Sequence, residues 1–276
     1  MRKIIVYIPV LLLLISACQE KIDLELNEDY QRLVVEGALT NIDTTQTIVL
    51  SKTSSYFSDE QTPRVEGANV TVTDGQNTYA FIEDSAGFYI SEHPFSGEKG
   101  KTYTLNIELD NPINDERFYS ASEKMPVTLN LDSITAEALQ SPSPQASDDI
   151  QVKGWGQEPA TPNNYYIWDL YVNGKHHSDT LDERSFTDDE LVNGSYIPGL
   201  PIFFYDGDDM DTIEVYTQSI TGEYYQFLLA FIQEASFGGG NFSGPPANIK
   251  GNISNGALGY FCVKAVSKNK TVYMKQ

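Results

Sequence analysis

Short segments of alternating apolar and polar residues, separated by turn-forming residues, recur along the chain from Leu33 onward. Such alternation over four to eight positions is typical of a strand with one buried face. The clearest case is Asn69–Thr73, which leads into Asp74-Gly75, a strong hairpin signal, with Thr78–Ile82 as the return strand. The 17 Tyr and 13 Phe residues also favour pleated, half-buried surfaces. The pattern therefore predicts a mainly β fold.

The spacing of these segments predicts two folded parts. Residues 30–127 hold about seven short strands with regular turn signals, the pattern of an Ig-like β-sandwich, although the Cys…Trp…Cys core of true immunoglobulin domains is missing. Residues 128–276 predict a second β-sandwich-like domain. Within it, Tyr165–Val172 is apolar in both registers, as expected for a central strand covered on both faces. The segments 249–253 and 259–266 are predicted as the last strands.

One segment changes from the strand period to the helix period. Apolar residues in 221–237 recur at i, i+3, i+4 and i+7, which predicts an amphipathic helix packed on the second sheet. Thr221 is a suitable N-cap, Glu223 lies in the first turn, and Gly238–Gly240 ends the helix.

The N-terminus carries an export signal, residues 1–17. Arg2 and Lys3 precede the apolar run 4–15, which is shorter than the roughly 20 residues that a membrane span requires. The run ends in Ile15-Ser16-Ala17-Cys18, which resembles the lipobox of bacterial lipoproteins. The alternative is an ordinary secretory signal whose cleavage site happens to precede a cysteine.

The resemblance to a lipobox implies that Cys18 becomes the lipid-modified N-terminus of the mature chain. Two or three acyl chains hold a protein firmly on a membrane, whereas a single chain does not. Residues 18–29 are then an acidic tether, and they also resemble the surface-export signal of Bacteroidota lipoproteins, although Lys21 and Ile22 interrupt the acids. These features predict a lipid-anchored outer-membrane protein at the cell surface. The alternative is a protein anchored in the leaflet that faces the periplasm.

The charge balance excludes one class of partner. A formal net charge of -21 repels phosphate backbones, so nucleic-acid binding is not expected. Three His and two Cys provide little material for a zinc site or a Cys/His nucleophile. The second thiol, Cys262, lies in an apolar strand segment and is predicted to be an inert core residue.

An acidic turn is the candidate metal site. Asp206, Asp208 and Asp211 alternate around Gly207, an arrangement that can bind a hard cation such as Ca²⁺. The bidentate Glu of an EF-hand is missing, because Thr217 occupies its position. The alternative is a solvated turn between two strands.

The sequence shows no catalytic motif. His176 and His177, with Asp179 and Asp182 nearby, imitate a metal or acid–base site, but adjacent side chains in a strand or turn point to opposite sides. The chain contains no G-x-S-x-G elbow, P-loop or G-x-G-x-x-G motif. We therefore expect a protein that is not an enzyme and that needs no cofactor.

A scattered tripeptide resembles the O-glycosylation acceptor of Bacteroidota envelope proteins. It reads Asp, then Ser or Thr, then a small or aliphatic residue. The alternative to a glycosylation site is an ordinary turn that leads into a strand, because the same residues are common there. The five candidate acceptors are Thr44, Ser85, Ser133, Thr180 and Thr212.

The order of several landmarks along the whole mature chain resembles one family. They are the lipobox, 33–37, 65–72, 87–89, 100–105, 119–122, 132–134, 220–227, 245–249 and 258–261. Together they are similar to the Bacteroidota lipoprotein family catalogued as domain of unknown function 4249. That family has no established activity, so the resemblance implies no catalytic residues. Its genes commonly lie beside TonB-dependent outer-membrane transporters, which implies such a barrel as a partner.

Two functions follow as hypotheses. The first is a lipid-anchored binding or accessory protein of a TonB-dependent transporter complex; the alternative is an adhesive or structural surface module that binds glycan or protein independently of a transporter. The first predicts an aromatic face built from residues that are equally suited to the core: Tyr56, Phe57, Phe203, Phe204 and Tyr205.

Overall fold

A computed structural model describes residues 31–54, 62–139, 149–178, 180–237 and 249–275. The predicted signal peptide, the tether with Cys18, and the aromatic residues Tyr56 and Phe57 lie outside these ranges, as does Asp179. No helix in the described part of the chain is long and apolar enough to cross a membrane.

The first part of the chain forms antiparallel strands, as their alternating patterns predict. They are β1 (Leu33–Thr40), β2 (Thr47–Lys52), β3 (Asn69–Thr73), β4 (Thr78–Ser85), β5 (Phe88–Ser91), β6 (Thr102–Ile113) and β7 (Glu116–Lys124). Their order in the sheet is β1-β2-β5-β4-β3-β6-β7. The inward residues of each strand, such as Val70 and Val72 on β3, form one continuous hydrophobic core.

The second part adds more strands and one helix. They are β8 (Leu131–Ala138), β9 (Asp149–Gln157), β10 (Tyr165–Val172), β11 (Lys175–His176), β12 (Ser185–Asp188), β13 (Tyr196–Asp206), β14 (Thr212–Ile220), α1 (Gly222–Phe237) and β15 (Leu258–Val272). Strands β13-β9-β8 form a separate sheet. Its inner face shares a second hydrophobic cluster with β10 and β14.

The last strand connects the two parts. β15 pairs parallel with β1 and antiparallel with β14, so the order β11-β10-β14-β15-β1 continues directly into the strands of the first part. Its inward residues Phe261, Val263 and Ala265 belong to the first hydrophobic core, whereas Tyr273, just beyond the strand, belongs to the second. A strand from the C-terminal end of the chain thus completes the sheet that begins at Leu33.

The structure confirms the predicted mainly β, sandwich-like fold with one helix. The predicted hairpin joins β3 to β4, and Asn173-Gly174 turns β10 into β11 with positive φ at both residues. The predicted central strand is β10, which lies between β14 on one side and β11 and β12 on the other.

One predicted strand is wrong. Residues 249–253 form a loop, although Ile253 is buried in the first core. The Asn252 side chain replaces a backbone partner there, because its amide donates to the carbonyl of Phe261 at 2.8 Å and its oxygen accepts from the Phe261 amide at 2.9 Å. The apolar residues of this segment correctly predict burial. However, the Asn252 side chain hydrogen-bonds the backbone groups of Phe261 on β15 in place of a neighbouring strand.

Candidate binding groove

The helix α1 begins where the sequence predicts. The Thr221 hydroxyl accepts a hydrogen bond from the Tyr224 amide at 3.3 Å, which caps the first turn. Tyr224 and Phe227 then contact the ring of Tyr260 on β15, with ring centroids 4.8 and 5.0 Å apart. Ring contacts at this separation are favourable, so aromatic packing holds the helix against the outer face of the sheet.

A groove with a volume of about 710 Å³ lies between α1 and the outer face of β1, β2 and β15. Successive side chains of β1 point to opposite faces of the sheet. Leu33 and Val35 point into the core, so Val34 and Ala38 face the other side and form part of the groove floor. The helix supplies the opposite wall through Tyr224, Phe227, Leu228 and Phe231. We call this space the α1 groove.

The polar groups of the α1 groove are few. Glu36, Thr47 and Lys264 contribute to the lining, and the remaining side chains are mostly aliphatic or aromatic. Cavities of this size with apolar walls and a small number of polar groups are typical of small-molecule binding sites. The groove is thus suited to binding an apolar ligand.

Cys262 lies in the floor of the groove and is only 4% exposed. Burial raises the pKa of its thiol, and the charge of Lys264 opposes that shift. A thiol with a raised pKa is a poor nucleophile. Cys262 therefore contributes surface to the groove and no reactive group.

A buried carboxylate contacts β15 and the residue that caps α1. Glu123, near the end of β7, is 7% exposed and accepts hydrogen bonds from the Thr221 hydroxyl, from the Tyr260 hydroxyl at 3.3 Å and from the Val263 amide at 3.1 Å. Burial raises its pKa to about 7, although these hydrogen bonds favour the ionised form. Glu123 thus joins β7, the helix cap and β15 at one point.

The histidine pair does not form a catalytic triad. Ser178 Oγ is 3.5 Å from His176 Nε2, and Asp169 Oδ1 is 3.7 Å from the same nitrogen. A Ser-His-Asp triad requires the nucleophile and the carboxylate on opposite ring nitrogens. His177 lies on another side, with its ring 5.6 Å from that of Tyr205. Asp169 instead lies 3.1 Å from Arg184 Nε.

The structure does not bring the three aspartates of the acidic turn together. Asp206 and Asp208 are exposed, whereas Asp211 is buried. The Asp211 carboxylate accepts hydrogen bonds from the Asp208 amide at 2.8 Å and from the Asn173 side chain at 2.6 Å. Among the described residues, no group of three His, Cys, Asp or Glu side chains is arranged to hold a metal ion. Asp211 closes the turn through hydrogen bonds.

The remaining predicted sites lie at separate places. Thr44, Ser85, Ser133 and Thr180 are exposed, and Thr212 is half-buried at the start of β14. The predicted aromatic face divides because side chains alternate on β13: Phe203 and Tyr205 are buried in the second cluster, and Phe204 is 55% exposed.

The pattern of the sequence does not predict the α1 groove. Most of its residues come from three strands and a helix that are far apart in the chain, and Glu123 lies in an ordinary alternating strand. The one available signal is that α1 carries large apolar residues on several faces, including Phe231, which is 50% exposed. When a helix carries apolar residues on more than one face, packing against a single sheet leaves part of its apolar surface uncovered.

A search of curated proteins finds no match. The model of a family described as a domain of unknown function, DUF4249, matches residues 19–270, which is nearly the whole chain. The chain therefore belongs to the DUF4249 family.

Proposed function

We propose that this protein is a lipid-anchored binding protein of the outer membrane, at the cell surface of a Bacteroidota bacterium, and an accessory subunit of a TonB-dependent transporter barrel. The observation that carries the proposal is the lipobox Ile15–Cys18 ahead of a folded body. The lipid attached at Cys18 holds the body at the membrane, where a barrel partner lies within reach. The resemblance of the landmarks to lipoproteins whose genes lie beside such transporters supports the choice of partner.

The α1 groove supports a binding function for the body. It offers an apolar cavity of about 710 Å³, and the thiol in its floor has a raised pKa. The His176 geometry, with Ser178 and Asp169 on one ring nitrogen, does not support acyl transfer. Recognition without chemistry is the function that these features fit best.

Replacing Cys18 by alanine is expected to remove membrane attachment. The variant has no thiol to receive the diacylglycerol group, so its fraction in washed outer membranes should fall about tenfold or more. Quantitative immunoblotting of membrane and soluble fractions measures this. Cys262→Ala is the matched control, because it removes a buried thiol and leaves the lipobox intact. A Cys18→Ala chain that stays membrane-bound like wild type would contradict the lipid anchor.

Affinity purification tests the barrel partner. A chain tagged at its C-terminus is extracted from its own outer membrane in mild detergent, and co-purifying proteins are identified and quantified by mass spectrometry. A stoichiometric TonB-dependent barrel supports the accessory role. A lipoprotein recovered alone contradicts it and favours the adhesive module that binds glycan or protein independently.

A further inference from the structure

The α1 groove has the length of one extended acyl chain. On β15 its floor runs from Leu258 to Lys264, a distance of six residue steps, which corresponds to roughly 20 Å of extended strand. The hydrocarbon core of a bilayer is about 30 Å thick and holds two layers of chains, so one chain spans about 15 Å. A single long aliphatic chain therefore fits along the floor with room for a polar head.

The walls along this length are apolar on both sides. Val34 and Leu258 lie side by side at one end of the floor, since they are partners in the β1–β15 ladder. From the helix, Leu228 is buried, whereas Phe231 lines the groove and is 50% exposed. Covering such surface removes apolar area from water, which stabilises a complex.

A cation marks the other end of the floor. Lys264 pairs with Thr40 in the ladder, whereas Glu36 pairs with Tyr260. The two charged residues are thus separated by four rows, or roughly 13 Å. The ion pairs found within the described ranges do not include Lys264. An anionic head at Lys264 would gain a charge-assisted hydrogen bond and stay clear of Glu36.

From this arrangement we propose that the α1 groove binds a long-chain fatty acid, with its carboxylate at Lys264 and its tail directed towards Val34 and Leu258. The proposal takes the groove to be the binding site named above and does not depend on a barrel partner. The complementary features are an apolar trough of one chain length and the cation of Lys264 at one end. A neutral lipid would use the trough but gain nothing from Lys264.

Photo-crosslinking in membranes tests the proposal with the full-length protein. Outer-membrane vesicles carrying the chain are incubated with hexadecanoic acid that bears a diazirine at mid-chain, irradiated, and digested for mass spectrometry. We expect the adducts to concentrate on peptides from α1 and β15. The Ala38→Trp variant, which fills the floor, should reduce labelling about tenfold. Asn106→Trp, at an exposed position on β6 away from the groove, is the matched control.

Two further variants keep the test independent of folding. Phe231→Glu puts a charge on a half-exposed wall residue and should also reduce labelling about tenfold. Lys264→Gln should weaken labelling by the acid about tenfold and leave labelling by the corresponding diazirine alcohol unchanged. Lys270→Gln, on the same strand outside the groove, is its control.

Three results would overturn the proposal. They are adducts spread over the whole surface, equal labelling of Ala38→Trp, Phe231→Glu and the Asn106→Trp control, and a Lys264→Gln effect that is the same for acid and alcohol. The last result would show that the groove does not select a carboxylate. Each result is separate from the affinity purification, which reports on the barrel alone.

Discussion

Replacing Gly259 by alanine is expected to destabilise the fold by about 4 kcal/mol or more. Gly259 has φ +86, a region that costs an L residue roughly 1–2 kcal/mol. An added Cβ would also lie 2.0 Å from the carbonyl oxygen of Val35. Val35 is the β1 partner of Gly259, so this oxygen cannot withdraw without breaking the parallel ladder. The melting temperature should fall by about 8–16 °C.

Gly256→Ala separates the steric effect from the backbone effect. Gly256 has φ +72, but an added Cβ meets no heavy atom within 4 Å. This variant should therefore cost only about 1–2 kcal/mol. Denaturant unfolding of both variants gives the two free energies of unfolding. Equal losses of unfolding free energy would show that the close approach of β1 to β15 does not exclude a side chain at position 259.

Glu123→Ala is expected to lower the free energy of unfolding by about 3 kcal/mol or more, because it removes an acceptor that three donors share. The Val263 amide is buried and loses its partner, which costs about 1–3 kcal/mol, and the hydroxyls of Thr221 and Tyr260 lose theirs. The side-chain cavity adds to the loss. Thermal unfolding at pH 6 measures the change, with Glu116→Ala on the same strand as the exposed control.

The same carboxyl makes stability depend on pH in a defined direction. Burial raises the pKa of Glu123 to about 7, against an ordinary value of 4.5, so the folded protein binds this proton more tightly than the unfolded chain. Its contribution is complete below about pH 4.5 and is lost as pH rises through 7. Across that window the loss is about 3 kcal/mol.

Glu123→Gln tests this sign. The amide has nearly the shape of the protonated carboxyl and does not titrate. As pH rises from 4.5 to 8, the unfolding free energy of the variant should therefore increase by about 3 kcal/mol relative to that of the wild type. Urea unfolding at several pH values provides the comparison, and Glu116→Gln should track the wild type. A constant difference across the window would contradict a raised pKa at Glu123.

Part of the groove could be predicted from the sequence. The period of the apolar residues identifies α1, and Thr221 caps it as expected. Cys262 is buried as its strand context predicts. The surroundings of Lys264 and Glu123 could not be predicted, because each residue lies in an ordinary strand and its neighbours depend on which distant elements lie beside that strand.

The local pattern of the sequence by itself determined most of the strands and the hairpins between neighbouring strands. A period of two and turn residues such as Asn173-Gly174 act between neighbours in the chain, where closing a short loop costs little entropy. Only the tertiary structure decided that β15 pairs with β1, more than 200 residues away. That pairing places Lys264, Tyr260 and Ala38 on one face, and α1 above them makes the groove. The physical reason is that the alternation of apolar and polar residues specifies which side of a strand is apolar. It does not specify which distant strand pairs with it.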